Sequence, residues 1–293
     1  MVVVPDREIV AARRPVTTTR VHAVDDGRAR VRPDRVVTEE PMEIRVHGPG
    51  QAPAPLAVTM RTPGHDFELA VGFCLTEGVI ARPDEVAQVA YCLDRDRGAG
   101  APGDVQHYNV VTVRLRHPVD LAGHERRFAA GASCGLCGKT TLEQVATHAA
   151  PIPPGLVVGR TVLVGLPARL REQQSVFDAT GGLHACARFD PDGGLAVVRE
   201  DVGRHNALDK LVGEAALTGG LPLASQIVMV SGRVSFEIVQ KAVLAGAPVL
   251  CAVSAPSSLA VATADRLGQT LVGFLRGDRF NIYTYPERID LDA

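Results

Sequence analysis

The stretch from Asn206 to Tyr285 decides the fold, because predicted helices and predicted strands alternate along it. The helical segments are NALDKLVGEAAL (206–217), VSFEIVQKAVLAG (234–246) and SSLAVATADRLG (257–268), and the strand segments are QIVMVS (226–231), PVLCAVS (248–254), TLVGFLRG (270–277) and FNIYTY (280–285). Short apolar runs that end at polar residues or glycine are typical of buried strands. Alternating strands and helices imply a sheet with parallel strands whose faces are covered by helices, so the predicted fold class is α/β.

The residues before this stretch predict further elements. TTLEQVATHAA (140–150) and LPARLREQQSVF (166–177) are predicted helices, and LHACARFD (183–190) and LAVVRED (195–201) form a predicted hairpin across PDGG. Earlier still, MEIRVHG (42–48), LAVTMRTPG (56–64), VAQVAYCL (86–93) and YNVVTVRLRH (108–117) are predicted strands around one helix, FELAVGFCLTEG (67–78), which Asp66 is placed to cap. We divide the chain into an N-terminal extension (1–40), a small α+β domain (41–125), a glycine-rich CxxC loop (126–140) and a larger α/β domain (141–293).

The composition is that of a globular protein. Hydrophobic residues make up 46% of the 293 residues, and the net charge of −2 gives no general reason to expect nucleic acid. No stretch is long and apolar enough to cross a membrane, and the opening MVVVPDREIVAARR runs from apolar to charged, the reverse of a secretory signal. We therefore expect a cytoplasmic protein whose thiols stay reduced, so its 6 cysteines do not predict a disulfide framework.

Cys134 and Cys137, in the segment SCGLCGK (133–139), are the candidate working centre. Their spacing lets both sulfurs meet one ligand or each other, and the glycines beside them leave the backbone free to expose the thiols. Structural zinc would need two more ligands, which His184 and Cys186 could supply. A thioredoxin-like redox pair would follow the first strand of its fold and open a long helix, whereas this pair lies in a loop deep in the chain.

Two more chemistries are open for the same pair. A phosphate loop ends in Gly-Lys-Thr, as residues 138–140 do, but Ser133 stands where its first glycine belongs. Sulfur transfer needs an exposed thiolate that accepts sulfur as a persulfide and passes it on. Lys139 and the start of the next predicted helix would favour the anionic sulfur. The spacing alone does not choose sulfur transfer over zinc.

Several later loops carry polar residues in positions that suit a ligand. They are REDVGRHNALDK (199–210) with Glu200, Asp201, Arg204, His205, Asn206 and Asp209, SGRVSFEIVQK (231–241) with Ser231, Gly232 and Arg233, SAPSSLA (254–260) with Ser254, Ser257 and Ser258, and FLRGDRFN (274–281) with Arg276 and Arg279. The structural alternatives are that Asp201 caps a helix, that His205 pairs with Asp209, and that the other loops are plain turns. Because α/β sheets bind ligands at the carboxyl ends of their strands, the arginines predict a pocket for a large phosphate-bearing ligand.

Taken in order, these segments resemble the FdhD family, the sulfur carriers required for active formate dehydrogenase. The resemblance covers residues 40–287 and rests on TPGHDFELAVGF (62–73), SCGLCGK (133–139), FDATGGLHACA (177–187), EDVGRHNALDK (200–210), SGRVSFEIVQKA (231–242) and SAPSSLAV (254–261). It implies a cytidine-deaminase-like three-layer domain joined to the smaller α+β domain, usually in a homodimer. Zinc deaminases carry proline before their cysteine pair, whereas Ser133 stands here, so the fold is expected without a catalytic metal of its own.

The resemblance also implies a function and a site. It implies a sulfurtransferase that takes persulfide sulfur from a cysteine desulfurase and delivers it to the Mo-bis(molybdopterin guanine dinucleotide) cofactor of formate dehydrogenase. By motif match Cys134 is the persulfide cysteine and Cys137 a second thiol, and the cofactor-binding segment falls on Phe274, Leu275, Arg276, Gly277, Asp278 and Arg279. As our own hypothesis, Ser231, Gly232 and Arg233 bind phosphate, and His205 with Asp201 lines the pocket. The alternative is a zinc-binding interaction module that uses the cysteine pair.

Overall fold

The N-terminal part of the described chain begins with a β-hairpin. The computed structural model describes residues 14–92, 108–121 and 151–293. Strands β1 (Val16–Asp25) and β2 (Arg28–Val37) pair antiparallel. Asp26 and Gly27 between them both have positive φ, which is the geometry of a tight hairpin turn. The region predicted as an extension therefore contains a hairpin, and its Asp-Gly turn was the sequence signal for it.

A four-stranded sheet and one helix follow the hairpin. The elements are β3 (Glu40–His47), β4 (Ala54–Arg61), α1 (Asp66–Thr76), β5 (Val86–Tyr91) and β6 (Val110–Leu115), and the strand order is β4-β3-β6-β5. All four predicted strands and the predicted helix are confirmed. The predicted cap is wrong: His65 precedes the helix, and the carboxylate of Asp66 is buried in an ion pair with Arg61 at 2.8 Å instead.

The larger sheet has six strands in the order β13-β12-β11-β10-β8-β9. The elements after residue 151 are β7 (Val158–Gly159), α2 (Arg160–Glu172), α3 (Ser175–Thr180), β8 (His184–Phe189), β9 (Leu195–Asp201), α4 (Arg204–Thr218), β10 (Ile227–Val230), α5 (Phe236–Leu244), β11 (Val249–Ala252), α6 (Ser258–Arg266), β12 (Thr270–Arg276), β13 (Arg279–Thr284) and β14 (Ile289–Asp290). Strands β10, β11 and β12 are parallel, and β8, β9 and β13 are antiparallel to their neighbours. The predicted mixture of helices and parallel strands is confirmed.

One predicted helix is two. The segment 166–177 was predicted as continuous, but α2 ends at Glu172 and α3 begins at Ser175. The carboxylate of Glu200 accepts hydrogen bonds from the amides of Val176 and Phe177 at 3.2 and 3.0 Å. A residue outside the helix thus satisfies the free amides of the first turn of α3. The predicted helix over residues 140–150 lies outside the described residues.

Side chains of the six-stranded sheet alternate between two apolar layers. One face packs on α2 and the other packs on α4, α5 and α6. Residues facing α2 include Ala185, Ala187, Phe189, Ile227 and Met229, and residues facing the other helices include Cys186, Val228, Val230, Leu250 and Ala252. The larger part of the chain is therefore a three-layer α/β/α structure, as period-two alternation along a sheet covered on both faces requires.

Helix α1 joins the four-stranded sheet to the three-layer part. A single apolar core runs from Met42 and Ile44 in the smaller sheet to Leu208 and Leu271 in the larger part. Helices α1 and α4 approach so closely that a Cβ on Gly72 or on Gly213 would lie 1.8 Å from a backbone oxygen of the other helix. The proposed boundaries at residues 41–125 and 141–293 stay a prediction, but the two parts share one core.

Candidate functional site

The site candidates lie along one edge of the six-stranded sheet. Strands β10, β11 and β12 are parallel, so the residues that follow them meet at the same edge. These residues are Ser231–Arg233 after β10, Val253–Ser257 after β11 and the turn that ends β12 at Arg276. The start of β8 lies at the same edge, because β8 is antiparallel to β10 and its His184 is one residue before Ala185, which bonds to Ser231. The topology thus brings the predicted ligand loops together.

At the β12–β13 end of this edge lies a cleft of about 1200 Å³. Three arginines and several aromatic residues line it, and the full lining is Arg160, Phe274, Arg276, Asp278, Arg279, Phe280, Asn281, Ile282, Tyr283 and Leu291. Arg276 is fixed by a hydrogen bond from its Nε to the carbonyl oxygen of Val253 at 2.8 Å. Permanently charged guanidinium groups next to aromatic rings suit a ligand that has both phosphates and a planar base.

Phe274 has an unusual backbone conformation at this cleft. Its φ is 54°, in the left-handed region that a non-glycine residue seldom occupies, and its side chain remains 40% exposed. The strand pairing slips between Gly273 and Arg276, and the Phe274 amide donates to the carbonyl oxygen of Ser254 at 3.2 Å. Such a conformation costs on the order of 1–3 kcal/mol and is concentrated at functional sites. This conformation turns the Phe274 ring toward solvent. In a regular strand the side chains of Phe274 and its neighbours would alternate between the two faces of the sheet.

The remaining residues of the predicted segment 274–279 have different environments. Leu275 is fully buried in the core against α2, so it supports the strand and does not face the cleft. Gly277 has a φ of 55° in the turn, where glycine avoids strain. Asp278 and Arg279 line the cleft. The structure therefore brings Phe274, Arg276, Asp278 and Arg279 together and places Leu275 behind them.

A second group of predicted residues lies after β10. Ser231 is held by Ala185, whose amide donates to the Ser231 Oγ at 2.9 Å. Gly232 lies against the ring of His184, because a Cβ at this position would be 3.2 Å from His184 Nδ1. Arg233 is exposed beside them. This cluster differs from the arginine cleft in that its basic side chains come from a strand, a loop and a helix start.

His205 belongs to this second group through α4. Its Nε2 lies 2.9 Å from the Glu237 carboxylate and 3.3 Å from the Ser235 hydroxyl. The suggested pairing of His205 with Asp209 is wrong, because Asp209 points into the core and pairs there with Lys241 at 2.9 Å. His205 is therefore at the sheet edge, and α5 holds its orientation.

Asp201 lies behind the cluster. Its side chain is fully buried, and Lys210 lies 2.7 Å from its carboxylate. The same carboxylate accepts hydrogen bonds from the amides of Thr62 and Gly203 at 3.1 and 2.8 Å. Because protein donors occupy both oxygens, Asp201 holds the turn that leads into α4, in contrast to the predicted contact with ligand. The helix-capping alternative is wrong, because Gly203 is the N-cap of α4 and no side chain caps the helix.

The cysteine pair falls outside the described residues, as does Lys139 beside it. Three other cysteines, Cys74, Cys186 and Cys251, are buried, and burial raises the pKa of the Cys74 and Cys251 thiols to about 12 and that of Cys186 still further. Such thiols are poor nucleophiles and poor metal ligands. Within the described parts of the chain, no three His, Cys, Asp or Glu side chains are grouped so that they could hold a metal ion. The suggested completion of a zinc site by His184 and Cys186 thus has no support.

Sequence reasoning missed some residues of the edge. Arg160 reaches the cleft because β7, which precedes it, pairs with β14 near the C-terminus, a contact that no local pattern announces. Tyr283 could have been found from the alternation of β13, in which Asn281 and Tyr283 follow Arg279 at every second position.

None of the helices in the described residues is both long and apolar enough to cross a membrane.

These features define a three-layer α/β protein with an arginine-lined and aromatic-lined cleft at the carboxyl edge of its sheet. The chain belongs to the FdhD/NarQ family, whose model matches residues 37–290. The match begins at the last residue of β2 and covers both sheets. The family suggested by the motifs is therefore confirmed.

Named relatives agree with this assignment. The chain is 51% identical over 280 residues to the sulfur carrier protein FdhD of Streptomyces avermitilis, covering 94% of this chain and 95% of that protein. It is 47% identical over 274 residues to the protein of the same name in Mycobacterium tuberculosis, covering 92% and 97%. With the sulfur carrier protein FdhD of Sulfurisphaera tokodaii the identity is 42% over 275 residues, covering 94% and 99%.

A solved structure has the same fold. The crystal structure of a chain from Desulfotalea psychrophila, described as a formate dehydrogenase accessory protein, superposes with a TM-score of 0.73. The alignment covers 94% of this chain and 100% of the other, at 22% sequence identity. At this identity the likeness supports the fold alone.

Proposed function

We propose that this protein is a sulfur carrier for formate dehydrogenase, a sulfurtransferase that takes persulfide sulfur from a cysteine desulfurase. The acceptor is the Mo-bis(molybdopterin guanine dinucleotide) cofactor, which is bound as a substrate. The names of relatives that share about half of its residues support the sulfur-carrier role. One structural observation carries the choice of ligand: the cleft that combines Arg160, Arg276 and Arg279 with the exposed ring of Phe274.

The cleft suits a guanine dinucleotide chemically. An arginine side chain can donate two parallel hydrogen bonds to the oxygens of a phosphate. Three arginines line this cleft, which favours an anionic ligand over a neutral one. An exposed aromatic ring held in a strained backbone conformation offers a face on which a base can stack, an interaction worth about 1–3 kcal/mol. In this proposal Arg276 and Arg279 hold phosphates and Phe274 holds the base. The loop Ser231–Arg233 and His205 bind the cofactor further along the same sheet edge.

The cysteine pair performs the sulfur chemistry in two balanced steps. The Cys134 thiolate attacks the outer sulfur of the donor's persulfide, so a new S–S bond forms on Cys134 and the donor cysteine leaves as a thiolate. The Cys137 thiolate then attacks Cys134 Sγ, which forms a Cys134–Cys137 disulfide and releases the outer sulfur as hydrosulfide for the molybdenum. The two thiols supply the two electrons, and reduction of the disulfide restores the carrier.

The proposal includes the setting of this reaction. The carrier works in the cytoplasm as a homodimer, with formate dehydrogenase as the receiving partner and without a catalytic metal of its own. The larger three-layer part has the arrangement of a cytidine deaminase but not the chemistry of one, because a fold does not determine the reaction at its site.

The test is to load the full chain with labelled sulfur from a cysteine desulfurase and to digest it for mass spectrometry. We expect a persulfide on Cys134, which Cys134→Ser abolishes, and a persulfide that persists longer in Cys137→Ser because the releasing thiol is absent. Cys92→Ser is the matched control, since Cys92 is only partly buried and plays no part in the proposal. Absence of a persulfide from both Cys134 and Cys137 would contradict the proposed function.

A further inference from the structure

Several basic side chains surround Gly232 at the carboxyl end of β10. The ring of His184 and the side chain of Arg204 both approach it, since a Cβ on Gly232 would lie 3.2 Å from His184 Nδ1 and 3.9 Å from Arg204 Cδ. Arg233 is the next residue along the chain, and His205 is the neighbour of Arg204 at the start of α4. A strand, a loop and a helix start thus contribute basic groups to one place.

The two carboxylates near this cluster each lie beside another basic group, and Oε1 of Glu237 is buried without a hydrogen-bond partner among the described residues. Asp201 pairs with Lys210 at 2.7 Å, and Glu237 lies 2.9 Å from His205. Arg204 and Arg233, by contrast, form no ion pair with any of the described residues, and the Nε of Arg204 is buried without a hydrogen-bond partner among them. A buried donor without an acceptor costs about 1–3 kcal/mol, so a ligand oxygen that accepts a hydrogen bond from Arg204 would stabilise the cluster.

The electrostatic environment of His184 agrees with this imbalance. Burial lowers the pKa of His184, and the charges of Arg204, His205 and Arg233 lower it further, while Asp201 acts in the opposite direction. Neither ring nitrogen forms a hydrogen bond with another residue in the described segments. His184 is therefore a titratable group held beside cations, and an anion bound there would favour its protonated form.

We propose that His184, Arg204 and Arg233 form a second anion subsite, separate from the arginine cleft, that takes a diphosphate group. The inference deepens the proposed function and rests on it for the source of the diphosphate, which would belong to the cofactor. The subsite has donors of two kinds, the permanently charged arginines and an imidazole that becomes a donor at both nitrogens when protonated. Helix α4 starts beside it without a side-chain cap, so its first amides also favour an anion.

Binding at this subsite is coupled to pH with a definite sign. The cations depress the pKa of His184 in the free protein, and a bound dianion opposes them, so binding raises that pKa. By linkage, the affinity for diphosphate must then rise as the pH falls through the pKa values of the two forms. Among the described residues that line the arginine cleft there is no histidine, so the same pH dependence is not expected from them.

The experiment follows the histidine signals of the full chain by NMR with inorganic diphosphate as the probe. His184→Gln assigns the His184 signal, and titrations are compared with and without saturating diphosphate. We expect the His184 midpoint to rise by on the order of one pH unit. Calorimetry should show tighter binding at about pH 6 than at about pH 8. In Arg204→Gln the affinity should fall about tenfold, whereas Arg30→Gln, which changes an exposed arginine of the β1–β2 hairpin, should leave it unchanged.

The results separate this inference from the proposed function. An unchanged His184 midpoint at saturating diphosphate overturns the subsite, even if a persulfide forms on Cys134. A shifted midpoint supports the subsite, even if no persulfide forms. The His184 midpoint is measured on the unmodified chain and does not depend on Arg204→Gln, so a misfolded Arg204→Gln protein would not leave the question open.

Discussion

Two regions of the molecule are rich in charge, and they use it in opposite ways. Where α1, α4 and α5 meet, Lys241 lies 2.9 Å from Asp209 and hydrogen-bonds to Thr76, and all three are buried. At the carboxyl edge of the six-stranded sheet, Arg204 and Arg233 have no carboxylate partner among the described residues. Three arginines line the cleft, and Asp278 is the one carboxylate among its described lining residues. The interface therefore contains matched charges, and the edge contains an excess of positive charge.

The difference separates structure from binding. A buried charge loses its hydration, and a partner of opposite charge is needed to offset that cost. Removing one member of a buried pair at the interface should therefore destabilise the folded protein. Cations gathered without partners repel one another and add nothing to stability, which leaves binding as their physical rationale. Substitutions at the interface should therefore change the free energy of unfolding, and substitutions at the edge should change affinity.

The largest expected effect is at the crossing of α1 and α4. In Gly213→Ala the new Cβ would lie 1.8 Å from the Glu68 carbonyl oxygen, and a backbone atom cannot move aside without separating the helices. We expect a loss of about 5 kcal/mol or more in the free energy of unfolding, measured by denaturant titration. Gly165→Ala in α2 is the matched control, because its Cβ would meet Arg169 at an ordinary 3.8 Å. The control should be neutral or stabilised by up to about 1 kcal/mol, and equal losses in both variants would refute the close-crossing argument.

The next effect concerns the buried ion pair. Lys241→Met leaves the Asp209 carboxylate buried without its cation, which should cost about 3–5 kcal/mol. Burial already raises the pKa of Asp209, and loss of Lys241 raises it further. The folded variant then binds a proton more readily than the unfolded chain, so its deficit should shrink as the pH falls.

An exposed ion pair provides the contrast for this variant. Arg82 and Asp84 lie 3.1 Å apart with side chains 73% and 71% exposed, so Arg82→Met should change the unfolding free energy by less than about 1 kcal/mol. A second comparison is the double variant Lys241→Met with Asp209→Asn, which should recover part of the loss because the buried charge is gone. If Lys241→Met is as stable as Arg82→Met, burial does not make this pair structural.

Much of the fold could be predicted because its signals are local. The apolar runs 227–230 and 249–252 gave the central strands, and the turn PDGG gave the β8–β9 hairpin. The break between α2 and α3 could not be predicted, because it depends on the Glu200 carboxylate reaching across from β9. The β1–β2 hairpin was missed for another reason: its strands are largely exposed and arginine-rich, so they lack the apolar alternation that identifies a strand.

Site residues that lie in one short segment could be predicted from the sequence. Site residues whose contacts come from distant parts of the chain could not. Arg276 and Arg279 flank a single turn, so their meeting at one cleft followed from the sequence. Asp201 was predicted to line the pocket because a carboxylate beside a helix start has two uses, and only the contacts to Thr62 and Lys210 show that it is structural. Sequence patterns do not reveal which charges have partners, because those partners are distant in the chain.

The smallest expected effect on stability is at the cleft, where a substitution should change the affinity for a ligand and not the free energy of unfolding. Arg279→Gln removes an exposed cation that lines the cleft, so the unfolding free energy should change by less than about 0.5 kcal/mol. Binding of GDP, used as a fragment of the proposed cofactor and measured by calorimetry, should nevertheless weaken about tenfold, because one charge-assisted phosphate contact is lost. Arg266→Gln, at an exposed arginine near the end of α6, should change neither quantity. A stability loss in Arg279→Gln as large as that of Lys241→Met would mean that the edge is structural and that partnerless charge does not mark binding in this protein.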